Sequence, residues 1–273
     1  MVSLAFLNLQ LLLTVFFFWA ATHVLHQITY IVELYNHKEH KFVRKSAVTL
    51  QARLIDYAVV MTCLFPLAAF KISQGNFSVG TNNLTTVIPP FFQQPWFFIA
   101  AGGAFGVALI AFLVKTYIEY RDGYVNWPKT IFILLTVAVA FTMPALPNLD
   151  TAFQGLNTWH SFQYLAITFY IIKICQMHGE LDANAPLVAR FSKGKDSRGL
   201  FVLSTLMLVG SVVVFVVVYT AAAILKPGMD NNAHFDIAYY TAILSFLWIH
   251  YYHDHFLFTN FEALDGAYGG TGQ

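Results

Sequence analysis

The chain of 273 residues is 58% hydrophobic and 11% charged, whereas a soluble domain carries about 25% charged residues. This composition excludes an ordinary soluble protein and predicts an integral membrane protein, whose main partner is the lipid bilayer. The formal net charge of +1 gives no electrostatic attraction to nucleic acid, so we expect no nucleic-acid partner. The aromatic content of 17% suits a lipid-facing surface and would also suit a pocket for a long apolar ligand.

Seven apolar segments, each long enough to cross the hydrocarbon core of a bilayer, follow one another along the chain. They fall at residues 5–34, 50–72, 96–118, 129–147, 157–177, 199–225 and 236–258. The first lacks the basic start and the cleavage site of a signal peptide, so we expect it to be retained as a span. The sequence therefore predicts an all-α integral membrane protein, a bundle of about seven transmembrane helices forming one polytopic domain over residues 1–273.

Lysine and arginine are distributed unevenly among the connections between these segments. They concentrate in residues 37–53, near residue 120 and in 178–198, whereas the alternate connections at 73–95, 144–158 and 226–234 contain almost none. Because positively charged loops tend to stay on the cytoplasmic side, we expect the N-terminus outside and the C-terminus in the cytoplasm. We interpret the chain as a multi-pass protein of a bacterial or archaeal cytoplasmic membrane.

Polar residues recur at spacings of three and four along the first segment, so they share one face of a helix. They are His23, His26, Tyr30, Glu33 and His37. His23 and His26 lie deep in the segment, where an ionisable group is costly and is usually functional. Both are candidate metal ligands, and the alternative is a polar stripe that is leaving the membrane.

His160 opens the fifth segment. A packed, hydrogen-bonding histidine and a further metal ligand are both open interpretations. Only about four residues precede it in the predicted span, which is roughly 6 Å along a helix. With the predicted topology, His23, His26, His250 and His253 instead lie toward the cytoplasmic side. Either the connection at 144–158 dips into the membrane, or His160 is separate from the other histidines.

The last segment ends in a run of histidines, Trp248-Ile-His-Tyr-Tyr-His-Asp-His. His250, His253 and Asp254 share a helix face by their spacing, whereas His255 points elsewhere. Asp254 either binds a metal directly or orients a histidine ligand through its other ring nitrogen. The alternative is a group of interfacial histidines that are hydrogen-bonded to backbone carbonyls.

The candidate metal ligands of the chain are His23, His26, His160, His250, His253 and Asp254. Imidazole suits several transition metals, and a mostly histidine site with a carboxylate is typical of non-haem iron that activates dioxygen. We therefore expect iron first, with copper, zinc or haem as alternatives. Tyr30 and Tyr252, together with Tyr164, are candidates to donate a proton or an electron to the reaction.

Charged residues also lie within the second and third segments. Arg53 and Asp56 are three residues apart, and Lys115 and Glu119 are four apart. We interpret them as local ion pairs with side chains that snorkel towards the interface. A proton path is the alternative.

Several helices that each supply one or two histidines resemble the sites of polytopic membrane non-haem iron oxygenases. That group includes the bacterial carotene-cleaving dioxygenases of the Brp/Blh type. The residues that carry the resemblance are His23 and His26, His160, and His250 and His253. The resemblance implies a non-haem iron and a long, apolar, isoprenoid-like substrate.

We therefore expect a membrane-embedded, metal-dependent oxidoreductase that oxidises a lipophilic small molecule with dioxygen. One alternative is a non-catalytic subunit of a larger membrane complex, which would bind haem, pigment or a structural metal and pack against membrane-protein partners. The other is a proton- or metal-coupled transporter, in which intramembrane ionisable groups carry the coupling.

Overall fold

In a computed structural model, 83% of the residues that the structure describes are helical, which confirms the all-α class. The structure describes residues 2–42, 48–147, 149–177, 182, 186–193 and 198–259, without the side chains of some helical stretches, among them 162–171 and 248–259. The chain forms two compact units, one of Met1–Leu9 with Ser161–Gln273 and the other of Gln10–His160. One domain over residues 1–273 stays a prediction.

Ten α-helices, one hairpin and two 3-10 helices occur in these described ranges. The α-helices are α1 (Val2–Leu7), α2 (Leu9–Phe42), α3 (Leu50–Thr62), α4 (Phe65–Ser73), α5 (Pro95–Arg121), α6 (Trp127–Thr142), α7 (Leu149–Met177), α8 (Pro186–Ser192), α9 (Arg198–Leu225) and α10 (Asn231–Thr259). The hairpin pairs β1 (Ser78–Val79) with β2 (Asn82–Asn83) in antiparallel register, with Ser78 opposite Asn83. The 3-10 helices are Pro90–Gln93 and Met143–Ala145.

Five helical stretches in the described part of the chain are long and apolar enough to cross a membrane. They are Leu9–His40, Leu50–Ser73, Pro95–Arg121, Trp127–Ala145 and Arg198–Leu225. They coincide with five of the predicted segments and are consistent with an integral, multi-pass membrane protein. The two remaining segments fall on α7 and α10, which are 29 residues long each. The count of seven spans and their orientation stay predictions.

The second predicted span consists of two helices rather than one. α3 ends at Thr62, and α4 begins at Phe65 with Pro66 in its first turn. Proline has no N–H to donate to the preceding turn, and its ring crowds the carbonyl four residues earlier. Pro66 therefore accounts for the interruption at Cys63 and Leu64.

α7 begins eight residues before the predicted start of the fifth span. Buried side chains recur at helical spacing over its first turns and alternate with exposed polar ones. The buried ones include Leu149, Ala152, Leu156 and His160, and the exposed ones include Thr151, Gln154 and Thr158. These turns are amphipathic, so their hydropathy is too low for them to stand out as part of a span. The connection predicted at 144–158 is thus largely helical.

The unit Gln10–His160 is a bundle in which successive helical stretches alternate in direction, with α3 and α4 counted as one stretch. At its polar end, the last turns of α2 and α5 meet the first turns of α3 and α6, through contacts such as Lys115 with Asp56 and Lys129 with Asn36. At the opposite end, α7 begins beside the first part of α2, where Phe17 contacts Phe153. α2, α5 and α7 therefore run in the same direction.

A continuous apolar core joins these helices. Fully buried members come from α2, α3, α5, α6 and α7, and they include Leu25, Val60, Phe112, Ile133 and Leu156. Large apolar side chains on the outer faces of α5 and α6, such as Ile110 and Leu135, are more than half exposed. A wide apolar outer surface of this kind suits contact with lipid tails.

In the other unit, α9 packs along α10. Val218 and Ala222 of α9 pack with Ile237 and Ala238 of α10 in a small core. His234, which its position in a connection predicts to be solvent-accessible, is 4% exposed. It lies in the first turns of α10, and its Nε2 is 2.9 Å from the carbonyl oxygen of Lys226. His234 is therefore a packed residue of this helix pair.

Candidate functional site

An apolar cavity of about 160 Å³ lies at the end of the bundle opposite the polar end. Its walls come from the first half of α2, from α4, from the first turns of α7 and from the segment that joins α4 to α5. Every side chain that lines it is apolar, and seven are the phenylalanines Phe17, Phe18, Phe65, Phe77, Phe92, Phe97 and Phe153. A dry cavity of about this size holds a molecule such as benzene.

The phenylalanine rings hold one another in place around the cavity. Phe17 contacts Phe77 edge-to-face at a centroid distance of 5.2 Å and Phe153 at 4.9 Å. Phe92 contacts Phe97 edge-to-face at 5.0 Å. Such geometries are favourable beyond the burial of area alone. Because these rings contact one another, this part of the wall is preorganised.

The two predicted ligands on α2 differ in their surroundings. His23 is half-buried and its Nε2 is buried, whereas the side chain of His26 is exposed within its unit. The rings of His26 and Tyr30 are in contact, with centroids 4.8 Å apart. This contact confirms that the spacing of four places these two side chains on one face. Farther along, His40 is exposed, as its position near the helix end predicts.

His160 lies well inside its helix rather than at the start of a span. Its side chain is 2% exposed, and both ring nitrogens are buried. It follows the first residue of α7 by eleven residues, which is about 16 Å along the axis. α7 thus begins earlier than its hydropathy indicates, with about three helical turns before His160 instead of the four residues that the sequence predicts, and the depth of His160 in a membrane stays a prediction.

The positions of His160 on α7 and His23 on α2 can be given relative to the cavity wall. Phe17 and Phe153, which both line the cavity, are in contact. His160 follows the wall residue Leu156 by four residues, which is about one turn of α7. His23 follows the wall residue Ala21 by two residues of α2.

The other predicted site residues fall where side chains are not described. They are His250, Tyr252, His253 and Asp254 of α10 and Tyr164 of α7. Among the described side chains, no group of three or more His, Cys, Asp or Glu residues could hold a metal ion. The six-residue metal site therefore stays a prediction, of which His160 is a buried and His23 a half-buried member among the described side chains.

A buried charge network occupies the polar end of the bundle. Asp56 is fully buried, and its Oδ1 accepts a hydrogen bond from Nζ of Lys115 at 2.5 Å. Its Oδ2 lies 3.3 Å from Nζ of Lys129. Lys129 is 2% exposed and also donates to Oδ1 of Asn36 at 2.9 Å. One carboxylate thus serves two buried ammonium groups.

Further pairs extend the network towards its edges. Glu39 is 3.8 Å from Lys129 and accepts from the Asn126 side chain at 2.9 Å. On the other side, Glu33 accepts from Arg53 at 2.8 Å. The charge network therefore comprises Glu33, Asn36, Glu39, Arg53, Asp56, Lys115, Glu119, Asn126 and Lys129.

The local ion pairs predicted from spacing are correct only in part. Lys115 does lie 3.5 Å from Glu119, four residues on. Arg53, however, pairs with Glu33 of α2 instead of Asp56. Snorkelling was also a wrong expectation for Lys115, which is 8% exposed, because its stem and its ammonium are enclosed by neighbouring helices. Sequence spacing detects partners on one helix, and these partners lie on different helices.

Comparison with known proteins identifies no relative of the chain. No family model, curated protein or solved structure matches the chain. The fold and the site are consistent with a helical, multi-pass membrane protein. It has an apolar cavity, a half-buried and a buried histidine on two helices that line this cavity, and a buried charge network at the opposite end.

Proposed function

We propose that the protein is a membrane-embedded, metal-dependent oxidoreductase that acts on a lipophilic substrate. The observation that carries the proposal is the wholly apolar cavity. Its wall includes Ala21 of α2 and Leu156 of α7, and each of these lies shortly before a predicted histidine ligand on the same helix. His23 follows Ala21 by two residues, and His160 follows Leu156 by one helical turn. A substrate held in the cavity would thus have its inner end at the histidines.

His23 and His160 would hold the metal together with His26, His250, His253 and Asp254. Iron is the first expectation, and it would supply the activation of dioxygen. The burial of the ring nitrogens of His160 and of Nε2 of His23 fits ligands in a dry site. The phenylalanine walls would position the apolar substrate and exclude water, and Tyr30, which contacts His26, would donate a proton or an electron. The seven spans, with the N-terminus outside, belong to the same proposal.

Metal content after purification tests this function. We expect near-stoichiometric iron in the native chain and a loss of at least about tenfold in His160→Ala, because removing even a group that only orients a ligand costs about 10–100-fold in metal affinity. His40→Ala is the control, since His40 is exposed near the end of α2, and it should retain its iron. Elemental mass spectrometry of correctly folded protein, judged by size-exclusion chromatography, is the measurement.

His23→Ala should lose iron in the same way. A native chain without any bound transition metal would reject the oxidoreductase, as would undiminished iron in both His23→Ala and His160→Ala.

The charge network favours a second candidate function, a proton-coupled transporter. Ionisable residues enclosed among membrane helices often mark proton or ion paths, and Asp56 is 0% exposed. In liposomes with an internal pH dye, Asp56→Asn should then lower proton flux, because the amide cannot carry a proton as the carboxylate does. We expect a fall of at least about tenfold, which corresponds to a barrier raised by about 1.4 kcal/mol. Asp122→Asn, at an exposed turn after α5, should behave like the native chain. Absence of proton flux through the native chain would reject this candidate.

A further inference from the structure

A lysine stands at the rim of the apolar cavity. Lys71 lies on α4, whose residues Ala68 and Ile72 line the cavity wall. Its ammonium donates to the carbonyl oxygen of Leu146 and lies 3.4 Å from that of Pro147. These two carbonyls come two and three residues after the lining residue Pro144, so the positive charge lies at the edge of the cavity.

The charge of Lys71 differs from the other cations of this unit that lie among helices. Arg53, Lys115 and Lys129 each pair with at least one carboxylate. Lys71 has only backbone carbonyls as partners among the residues that the structure describes. Carbonyl dipoles satisfy the hydrogen-bond donors of an ammonium but do not neutralise its charge. A full positive charge therefore remains available at the rim.

From this geometry we propose that the cavity and Lys71 together bind a lipophilic carboxylate, such as a fatty acid. The inference rests on the proposed function in one respect, since it takes the cavity to be the substrate site. The apolar tail of the ligand occupies the cavity, and its carboxylate pairs with the ammonium of Lys71. The volume of about 160 Å³ fits a compact end of the tail rather than a whole long chain.

The physical basis is the combination of a tail site without polar groups and one cation at its edge. A neutral lipid such as an ester gains the apolar contacts and can accept a hydrogen bond from the ammonium, but it carries no opposite charge. A carboxylate adds an ion pair with the ammonium, with both donor and acceptor ionised. The carbonyls of Leu146 and Pro147 would keep the ammonium oriented while the carboxylate takes up its remaining donor.

Photolabelling of the full chain tests the proposal. The probes are a dodecanoic acid that carries a diazirine near its methyl end and the methyl ester of the same acid. The chain is held in nanodiscs of phosphatidylcholine alone, so that the probe carboxylate is the only anionic head group added. Labelled peptides from the cavity wall, around Phe17 and Phe153, are quantified by mass spectrometry.

The expected result is a preference of about fivefold for the acid over the ester, the size typical of one partly exposed ion pair. Lys71→Gln should reduce labelling by the acid to the level of the ester, and Lys71→Arg should preserve the preference. If Lys71→Gln does not fold, the ratio of labelling by the acid to labelling by the ester can still be measured in the native chain and in Lys71→Arg. This ratio tests whether the site prefers a carboxylate.

Equal labelling by acid and ester in the native chain would overturn the carboxylate site and leave a cavity for neutral lipophiles, as the proposed function requires. An unchanged preference for the acid over the ester in a folded Lys71→Gln would overturn the role of Lys71, although not the carboxylate site itself. Absence of wall labelling by either probe would overturn both the carboxylate site and the cavity as a substrate site.

Discussion

Asp56→Ala is expected to lower the free energy of unfolding by about 3–5 kcal/mol, the cost of breaking a buried ion pair by removing one partner. The carboxylate is fully buried and lies 2.5 Å from Lys115 and 3.3 Å from Lys129. Removing the carboxylate leaves two enclosed ammonium groups with one negative charge fewer beside them. Water cannot readily take the place of the carboxylate, because the site is buried. The measurement is reversible unfolding of the purified chain in mixed micelles, followed by circular dichroism.

Two variants separate loss of charge from loss of a side chain at this position. Asp56→Asn should cost less than Asp56→Ala, because the amide oxygen can still accept from Lys115. Asp122→Ala removes an exposed carboxylate just after α5, and it should stay within about 0.5 kcal/mol of the native chain. If Asp56→Ala were as stable as Asp122→Ala, the charge network would not hold the polar end together.

This network also marks where sequence patterns stop being informative. The spacing of three and four along the first segment correctly places His26 and Tyr30 on one face, because those positions depend on a single helix. Which helix supplies the partner of Asp56 depends on how four helix ends meet. Lys115 and Lys129 lie 59 and 73 residues away along the chain, and no local pattern relates them.

The position of His160 shows a second limit of the same kind. Hydropathy correctly indicates α2, α5 and α9, which are apolar over most of their length. The first turns of α7 bury only one face, with Leu156 inside and Gln154 outside, and an average over both faces hides such a helix. A search for helical periodicity over residues 149–160 could have found this signal, and it would have predicted that α7 begins about three turns before His160.

The cavity could not be predicted from its residues one at a time. Phe77 and Phe92, which lie in the connection between α4 and α5, are ordinary apolar residues of a loop. They become cavity walls because the hairpin and the 3-10 helix fold them against Phe17 and Phe18 of α2. The high phenylalanine content allowed both a lipid surface and an apolar pocket, and the tertiary packing provides both.

Ala152→Phe is expected to abolish lipophile binding in the cavity while the fold is retained. Ala152 is 4% exposed and lines the cavity, so the new ring would enter a space that is close in volume to one that accepts benzene. Labelling of the cavity wall by the diazirine methyl ester should fall at least about tenfold. The free energy of unfolding should stay the same or rise by about 1 kcal/mol, as for other cavity-filling substitutions.

Ala104→Phe provides the matched control, because Ala104 is exposed on α5 and the same ring there faces outward. It should leave wall labelling unchanged. If Ala152→Phe does not fold, Ala21→Phe adds the same ring from α2, where Ala21 also lines the cavity. Undiminished labelling in a folded Ala152→Phe or Ala21→Phe would mean that lipophiles reach the wall peptides from the bilayer. The cavity would then not be where a substrate meets the histidines.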